Sequence, residues 1–458
     1  MPATNPNPAP RTIRRTLHDL ATHEISTQAL MAEILTCMQE TDDAVMAWLD
    51  VRPKYLMETA EAQDRRRMLR MQPTPLFGIP VGVKDIIDLA GYQTVCNMEA
   101  REDVDKAERD AVVVHALRRT GVIYVGKTVT QEAAAGIFSD PCRNPWDTEH
   151  IPGGSSGGSA AAIANGTALG AFGTDTGGSI RIPSSLCGVT GLKPTYGRLS
   201  LEGIFPLSAS LDTVGPLANT VADCMALYLG MQGKGNEIPT MWDRFPEDEA
   251  SLKGVRIGVP GGFFAERIQP EVTVAWQRAI AHAERLGAEI VDCVWEDAAA
   301  ARIAASQIIR IECGQVHRDL LVSAPEMMGE TLRERVELGV ILPVDVYFAA
   351  IAARQRAKQS IAKLYAEHRL DAMLVPTTPV TAPRAGETSV SYTDGTIEET
   401  GAALTRLTQP WNATGQPVFA LPAGQDDRGL PIGLSLVGRP DDEWHLADIA
   451  HALELAIS

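Results

Sequence analysis

Positive charge is what this 458-residue sequence is short of: 41 Lys and Arg stand against 58 Asp and Glu, a formal net charge of −17. A surface this acidic repels phosphate backbones and anionic headgroups, which argues against nucleic acid and membrane as partners. The local runs Arg14-Arg15 and Arg65-Arg66-Arg67 do not reverse that balance and read as solvated helix faces. Ordered cysteine chemistry is also missing. The seven cysteines are dispersed, with no C-x-x-C and no Cys/His cluster. That excludes a disulfide framework or zinc site on pattern and suits reduced thiols in a cytoplasmic protein. There is no run of eighteen apolar residues, so no segment reads as a membrane span. The first ten residues hold four prolines and no apolar stretch, and residues 1–15 read as a disordered leader rather than a signal peptide. The nine histidines sit in no motif, so Ser-His-Asp logic has no candidate base.

The rest of the composition is that of a soluble globular chain, 45% hydrophobic and 22% charged, long enough to bury a large core. Apolar residues at helical spacing over 25–50, and a charged-faced pattern over 54–71, predict an N-terminal helical arm spanning 16–71. From Phe77 the texture changes to short β-like runs alternating with Ala-rich helices. Strands are predicted at GIPVGVK, at GVIYVGKT, at 255–260, in AEIVDCVW and over 371–379, with helices over 110–119 and 274–286. Alternation of this kind predicts an α/β fold: one α/β/α domain over 72–458, its mixed sheet covered by helices on both faces. The polar stretch 232–250 reads as a surface excursion.

Two Gly/Ser loops carry the chemistry. IPGGSSGGSAAAIANG (151–166) puts a glycine-rich loop before small helix formers, and GTDTGGSIRIPSS (173–185) repeats the idea with Gly177 and Gly178 before Ser179. A Walker loop would need Lys-Ser or Lys-Thr after the glycines, and none follows. The pentapeptide 154–158 matches G-x-S-x-G, but that elbow needs a strand directly before it, and Pro141, Pro145 and Pro152 prevent one. A serine hydroxyl needs a base to become a nucleophile. Lys84, in an apolar strand with Val81, Gly82 and Val83, could serve if burial kept it neutral. Lys127 and Lys193 have structural explanations, at a strand end and beside a proline turn. The competing reading of Lys84 is a strand-end charge paired with Asp85 or Asp88.

The double loop, with GIPVGVKDIID, GVIYVGKTVTQE, RNPWD, LDTVGPLANTVAD, DAMLVPTTP and PIGLSLVGRP around it, resembles the amidase-signature family over about residues 72–445. The resemblance implies a C–N hydrolase in which Ser179 is the nucleophile, Ser155 (after a cis peptide bond) relays its proton, and Lys84 is base and then acid. It implies an oxyanion hole from the backbone N–H groups of Thr176, Gly177, Gly178 and Ser179. Ser156 is expected to support the lysine, and Asp175 with Arg181 to hold the loop by ion pairing. No metal and no cofactor is called for.

The substrate pocket is expected from the segments 133–139 and 201–208 and the helical region 305–350, with Ile137, Phe138 and Phe205 as apolar walls. Those walls favour a small neutral amide, aryl amide or carbamate (urethane) as the partner. A glutamine-hydrolysing A subunit of a tRNA-dependent amidotransferase is the alternative, and a non-catalytic binding protein of the same fold a second. A homodimer is left open.

Overall fold

The computed structural model describes residue 6 and residues 10–69, 74–248 and 250–457. Most of the expected leader, residues 1–5 and 7–9, lies outside them, as do residues 70–71 of the arm and 72–73 at the start of the expected domain. The leader boundary at 15 needs correcting, because helix Ile13–Ala21 starts before it. Thr12 caps this helix through its hydroxyl, and Asp223 accepts the N–H groups of Ile13 (3.1 Å) and Arg14 (3.3 Å). The prolines upstream hide that capping threonine from a reading of the sequence. Arg14 is no solvated residue either: it donates to the carbonyl of Phe245 at 2.6 Å and lies over the Trp242 ring.

Helices Thr27–Val45 and Pro53–Met68 follow. The first stops short of the expected end at 50, because Met46 turns left-handed (φ 52°) and the chain becomes strand β1 (Trp48–Val51). Trp48 is buried there and donates from its indole to Thr167 at 3.0 Å.

The remaining strands are β2 (Pro80–Lys84), β3 (Ile123–Thr128), β4 (Gly170–Thr174), β5 (Thr190–Lys193), β6 (Val214–Ala218), β7 (Arg256–Pro260), β8 (Glu289–Cys293), β9 (Ala372–Pro376), β10 (Ser389–Ser391), β11 (Ile397–Glu399), β12 (Val418–Gln425) and β13 (Pro431–Val437). β10 and β11 form a small hairpin sheet; the other eleven make one sheet, in the order β1-β3-β2-β4-β6-β5-β12-β13-β9-β7-β8. It is mixed. β2 runs parallel to β3 and β4, and β7 to β8 and β9, while β4–β6, β5–β12, β12–β13 and β13–β9 are antiparallel. Every residue of β2, β4, β9 and β13 is buried, on both alternating faces, which requires helices above and below the sheet.

This topology positions the site. β2 and β4 are parallel neighbours with Val83 opposite Phe172, so their last residues, Lys84 and Thr174, emerge at one edge. Helix Gly157–Ala164, which precedes β4, is tucked against β1 and β3 at Gly158. A Cβ there would lie 2.5 Å from the Val129 nitrogen and 2.6 Å from the Ala47 carbonyl oxygen. Only glycine permits that approach. Among the described residues no single helix is long and apolar enough to cross a membrane.

Candidate active site

Lys84 is fully buried at the end of β2. Its ammonium nitrogen donates to Ser155 Oγ (2.8 Å), Ser156 Oγ (2.9 Å) and Thr174 Oγ1 (2.8 Å). Among the described residues no carboxylate stands within ion-pair distance of it. Asp85 instead pairs with Lys127 at 3.1 Å, where Lys127 also donates to the carbonyl of Ile87. Burial therefore lowers the Lys84 ammonium to about 7, with Asp175 and Asp212 opposing only from a distance.

The first Gly/Ser loop holds Ser155 by its backbone. The Gly154–Ser155 peptide is cis, and the Ser155 carbonyl accepts from Gln131 N, Thr130 Oγ1 and Ser139 Oγ. Ser156 accepts from Lys84 and from the Thr174 N–H, and donates its hydroxyl to the Thr174 carbonyl, so it braces the lysine against β4. Thr174 was invisible in the sequence as a functional residue: it is one more small residue ending a strand.

The second loop, 175–180, is anchored by a buried ion pair. Arg181 grips Asp175 with two bonds of 2.8 Å and reaches Asn412 Oδ1 (2.7 Å) and the Thr408 carbonyl (2.9 Å). Burial opposes ionisation of Asp175, but Arg181 outweighs it and draws the carboxyl down to about 2. Asp175 also accepts the N–H of Gly178 (2.9 Å) and of Ile180 (3.2 Å). That corrects the expected oxyanion hole: the Gly178 N–H points back at a carboxylate. Its φ of +133° and the Thr408 hydroxyl, which would lie 2.4 Å from an added Cβ, explain why glycine stands there. The N–H groups of Thr176, Gly177 and Ser179 bond to no group among the described residues, and these three residues line the cavity. Asp212 fixes Thr176 by accepting its hydroxyl at 2.6 Å, a second partner that local pattern did not reveal.

Ser179 Oγ makes no hydrogen bond with Ser155 Oγ in this state, although the Ser179 carbonyl accepts the Ser156 N–H at 3.2 Å. The cavity at Ser179 measures about 420 Å³. Ile137 and Phe138 line it. Phe205 does not: it stacks on Arg101 (4.7 Å) and His317 (5.7 Å). The far wall, from helices Ala298–Val316 and Glu330–Ile341, carries Arg302, Arg310 and Arg335 beside Ile303, Ile309 and Leu338. The expected apolar pocket is thus apolar on one side only, which removes the ground for preferring a neutral substrate.

The protein-family model described as Amidase matches residues 29–446. The chain belongs to the amidase signature family. An amidase from Pseudomonas putida is 36% identical over 97% of this chain and 96% of its own. The A subunit of the glutamyl-tRNA(Gln) amidotransferase from Roseiflexus castenholzii is 35% identical over 97% and 95%. Among solved structures, a chain from a vestigial protein complex bearing on the origins of an s-triazine catabolic enzyme has a TM-score of 0.90. It is 32% identical, with 97% of this chain and 98% of that one covered. As a member of the amidase signature family, this protein is a hydrolase acting on C–N amide bonds.

Proposed function

We propose that this amidase hydrolyses small amides or carbamates through an acyl-enzyme on Ser179, with Ser155 as proton relay and Lys84 as base. The observation that carries the proposal is the environment of Lys84: a buried lysine with three hydroxyl partners and, among the described residues, no carboxylate. A base is useful when its affinity for protons sits near working pH, and burial brings Lys84 to about 7. Ser179 Oγ attacks the carbonyl carbon while its proton passes through Ser155 Oγ to Lys84 Nζ. To close that relay Ser179 must turn its hydroxyl onto Ser155, a rotamer change of the kind that accompanies substrate binding. The oxyanion accepts N–H bonds from Thr176, Gly177 and Ser179; each such donor is typically worth about 3–4 kcal/mol of barrier. When the C–N bond breaks, the leaving amine takes the proton back from Lys84 through Ser155. Water then repeats the sequence on the acyl-enzyme, releasing the acid and restoring Ser179.

A second reading has one observation in its favour, the similarity to amidotransferase A subunits, which extends over nearly the whole chain. Both readings are tested by a panel of amide, carbamate and ester substrates, with ammonia or amine detection, on the purified chain alone. The proposal expects turnover by the lone chain and its loss in Ser179→Ala. Turnover of glutamine alone, and only once a partner protein is added, would favour the second reading.

A further inference from the structure

An oxyanion donor acts only if it is held where the negative charge develops, and the loop 175–180 carries two glycines. Most of that loop is fastened. Asp175 accepts the N–H groups of Gly178 and Ile180, and the Thr408 hydroxyl donates to the Gly177 carbonyl at 2.6 Å. Thr176 is held differently: among the described residues its one hydrogen bond runs from its hydroxyl to Asp212 Oδ1. An ionised carboxylate only accepts, so this bond sets the direction of the hydroxyl and restrains the residue that carries it.

Asp212 is buried, and burial lifts its carboxyl to about 6. It also accepts the N–H groups of Leu207 (2.9 Å) and Ser208 (3.1 Å), so Leu207 and Thr176, both lining the cavity, hang on one carboxylate. The Ser208 hydroxyl turns the other way and donates to Glu312 Oε2 at 2.6 Å. Glu312 lies on helix Ala298–Val316, which also brings Ile309 to the cavity. It accepts the N–H (3.1 Å) and hydroxyl (2.7 Å) of Ser210, and the hydroxyl of Tyr347 (2.7 Å) from helix Val344–His368. Burial opposes ionisation of Glu312, but these donors outweigh it and hold the carboxyl below its usual range. An unbroken chain thus runs from Thr176 through Asp212 and Ser208 to the helix of the far wall.

Resting on the assignment of Ser179 as nucleophile and of the Thr176 N–H as an oxyanion donor, we infer that Asp212 and Glu312 are positioning residues for that donor, tying it to the far wall of the cavity. Neither carboxylate touches the reacting atoms. They act through Thr176, so they govern how fast the charged tetrahedral species forms and leave binding of the ground state alone.

The test removes single hydroxyls and leaves both carboxylates in place. The readout is the rate at which a fluorophosphonate probe, whose phosphoryl oxygen occupies the oxyanion hole, modifies Ser179 in the whole chain. Thr176→Val should lower the rate at saturating probe by about tenfold, less than outright loss of a donor, with the half-saturating concentration unchanged. Thr176→Ser, which keeps the hydroxyl, should stay well above Thr176→Val. Ser208→Ala, which cuts the link to Glu312, should also be slower by several-fold. Because both cut one chain, the double variant should be no slower than the slower single. Equal rates for Thr176→Val and Thr176→Ser would overturn the inference. So would a wild-type rate in Ser208→Ala, losses that multiply in the double variant, or a slow rate that comes only with a lowered thermal midpoint and a raised half-saturating concentration. Failure of the nucleophile assignment looks different: the wild type would not be modified at Ser179 at all.

Discussion

Lys84 and Lys127 stand near the ends of the paired strands β2 and β3, both are buried, and they differ in their partners. Lys127 keeps Asp85 at 3.1 Å; Lys84 has three hydroxyls. Burial lowers both ammonium groups; at Lys127 the adjacent Asp85 opposes it directly, whereas at Lys84 the opposing carboxylates, Asp175 and Asp212, lie farther away. The sequence raised Lys84 as a base but could not say which lysine Asp85 would take, since both are compatible with a strand end. The sign of the pH dependence follows. Below about 7 Lys84 carries its proton and cannot accept another, so kcat/KM should rise with pH through a limb near 7 and level off above it. Lys84→Arg keeps the charge but cannot act as a base, so it should lose on the order of 10³-fold or more in turnover, as much as Lys84→Ala. Lys193 is also buried, brought to about 7 by burial and by Arg181, and among the described residues donates only to the Pro194 carbonyl. Its substitution by Met should therefore leave the limb in place; a limb that disappears with Lys193 would reassign the titration.

At the scale of elements, the β-like runs placed five of the thirteen strands among the described residues, β2, β3, β7, β8 and β9, to within three residues at each end, because both-face burial there writes itself as continuous apolar sequence; β1, β4–β6 and β10–β13 were not called. What failed was local. Helix Thr27–Val45 ends at a left-handed Met46, and nothing in the run Val45–Leu49, apolar throughout at helical spacing, signals that turn. Thr174 escaped notice because strand ends and catalytic supports use the same small residues. The glycines of the first loop were legible as a class, but the role of each depended on what it touches. Gly158 is the sharpest case, pressed on Val129 and Ala47 backbone. Gly158→Ala should cost about 1–3 kcal/mol through overpacking against atoms that cannot rotate away. A thermal midpoint equal to that of the wild type would contradict this packing.

For the molecule as a whole, the site is assembled from distant parts. Arg181 and Asp175 are 6 residues apart, whereas Asn412 lies 231 residues beyond Arg181. The family resemblance could anticipate the ion pair and not the segment 408–412 that completes it. The same holds for the pocket: the family resemblance implied that 305–350 is wall-forming, but which of its side chains face the cavity, Arg310 and Arg335 among them, is a tertiary fact. Because removing one member of a buried pair strands the other, Arg181→Leu should destabilise the protein by about 3–5 kcal/mol. Asn412→Ala, which removes its hydrogen bonds with Arg181 and Asp175, should cost about 1.5–3 kcal/mol. Denaturant midpoints of the two variants in the opposite order would show that the segment 408–412, rather than the ion pair, holds the loop.

The central claim, that a neutral Lys84 activates Ser179 through Ser155, is tested most directly by the rate at which a fluorophosphonate probe modifies the protein as a function of pH. One adduct is expected, mapped by mass spectrometry to the peptide containing Ser179, forming faster as pH rises through about 7 and absent from Ser179→Ala. An adduct on a different residue, or one that forms at full rate in Lys84→Arg, would contradict it.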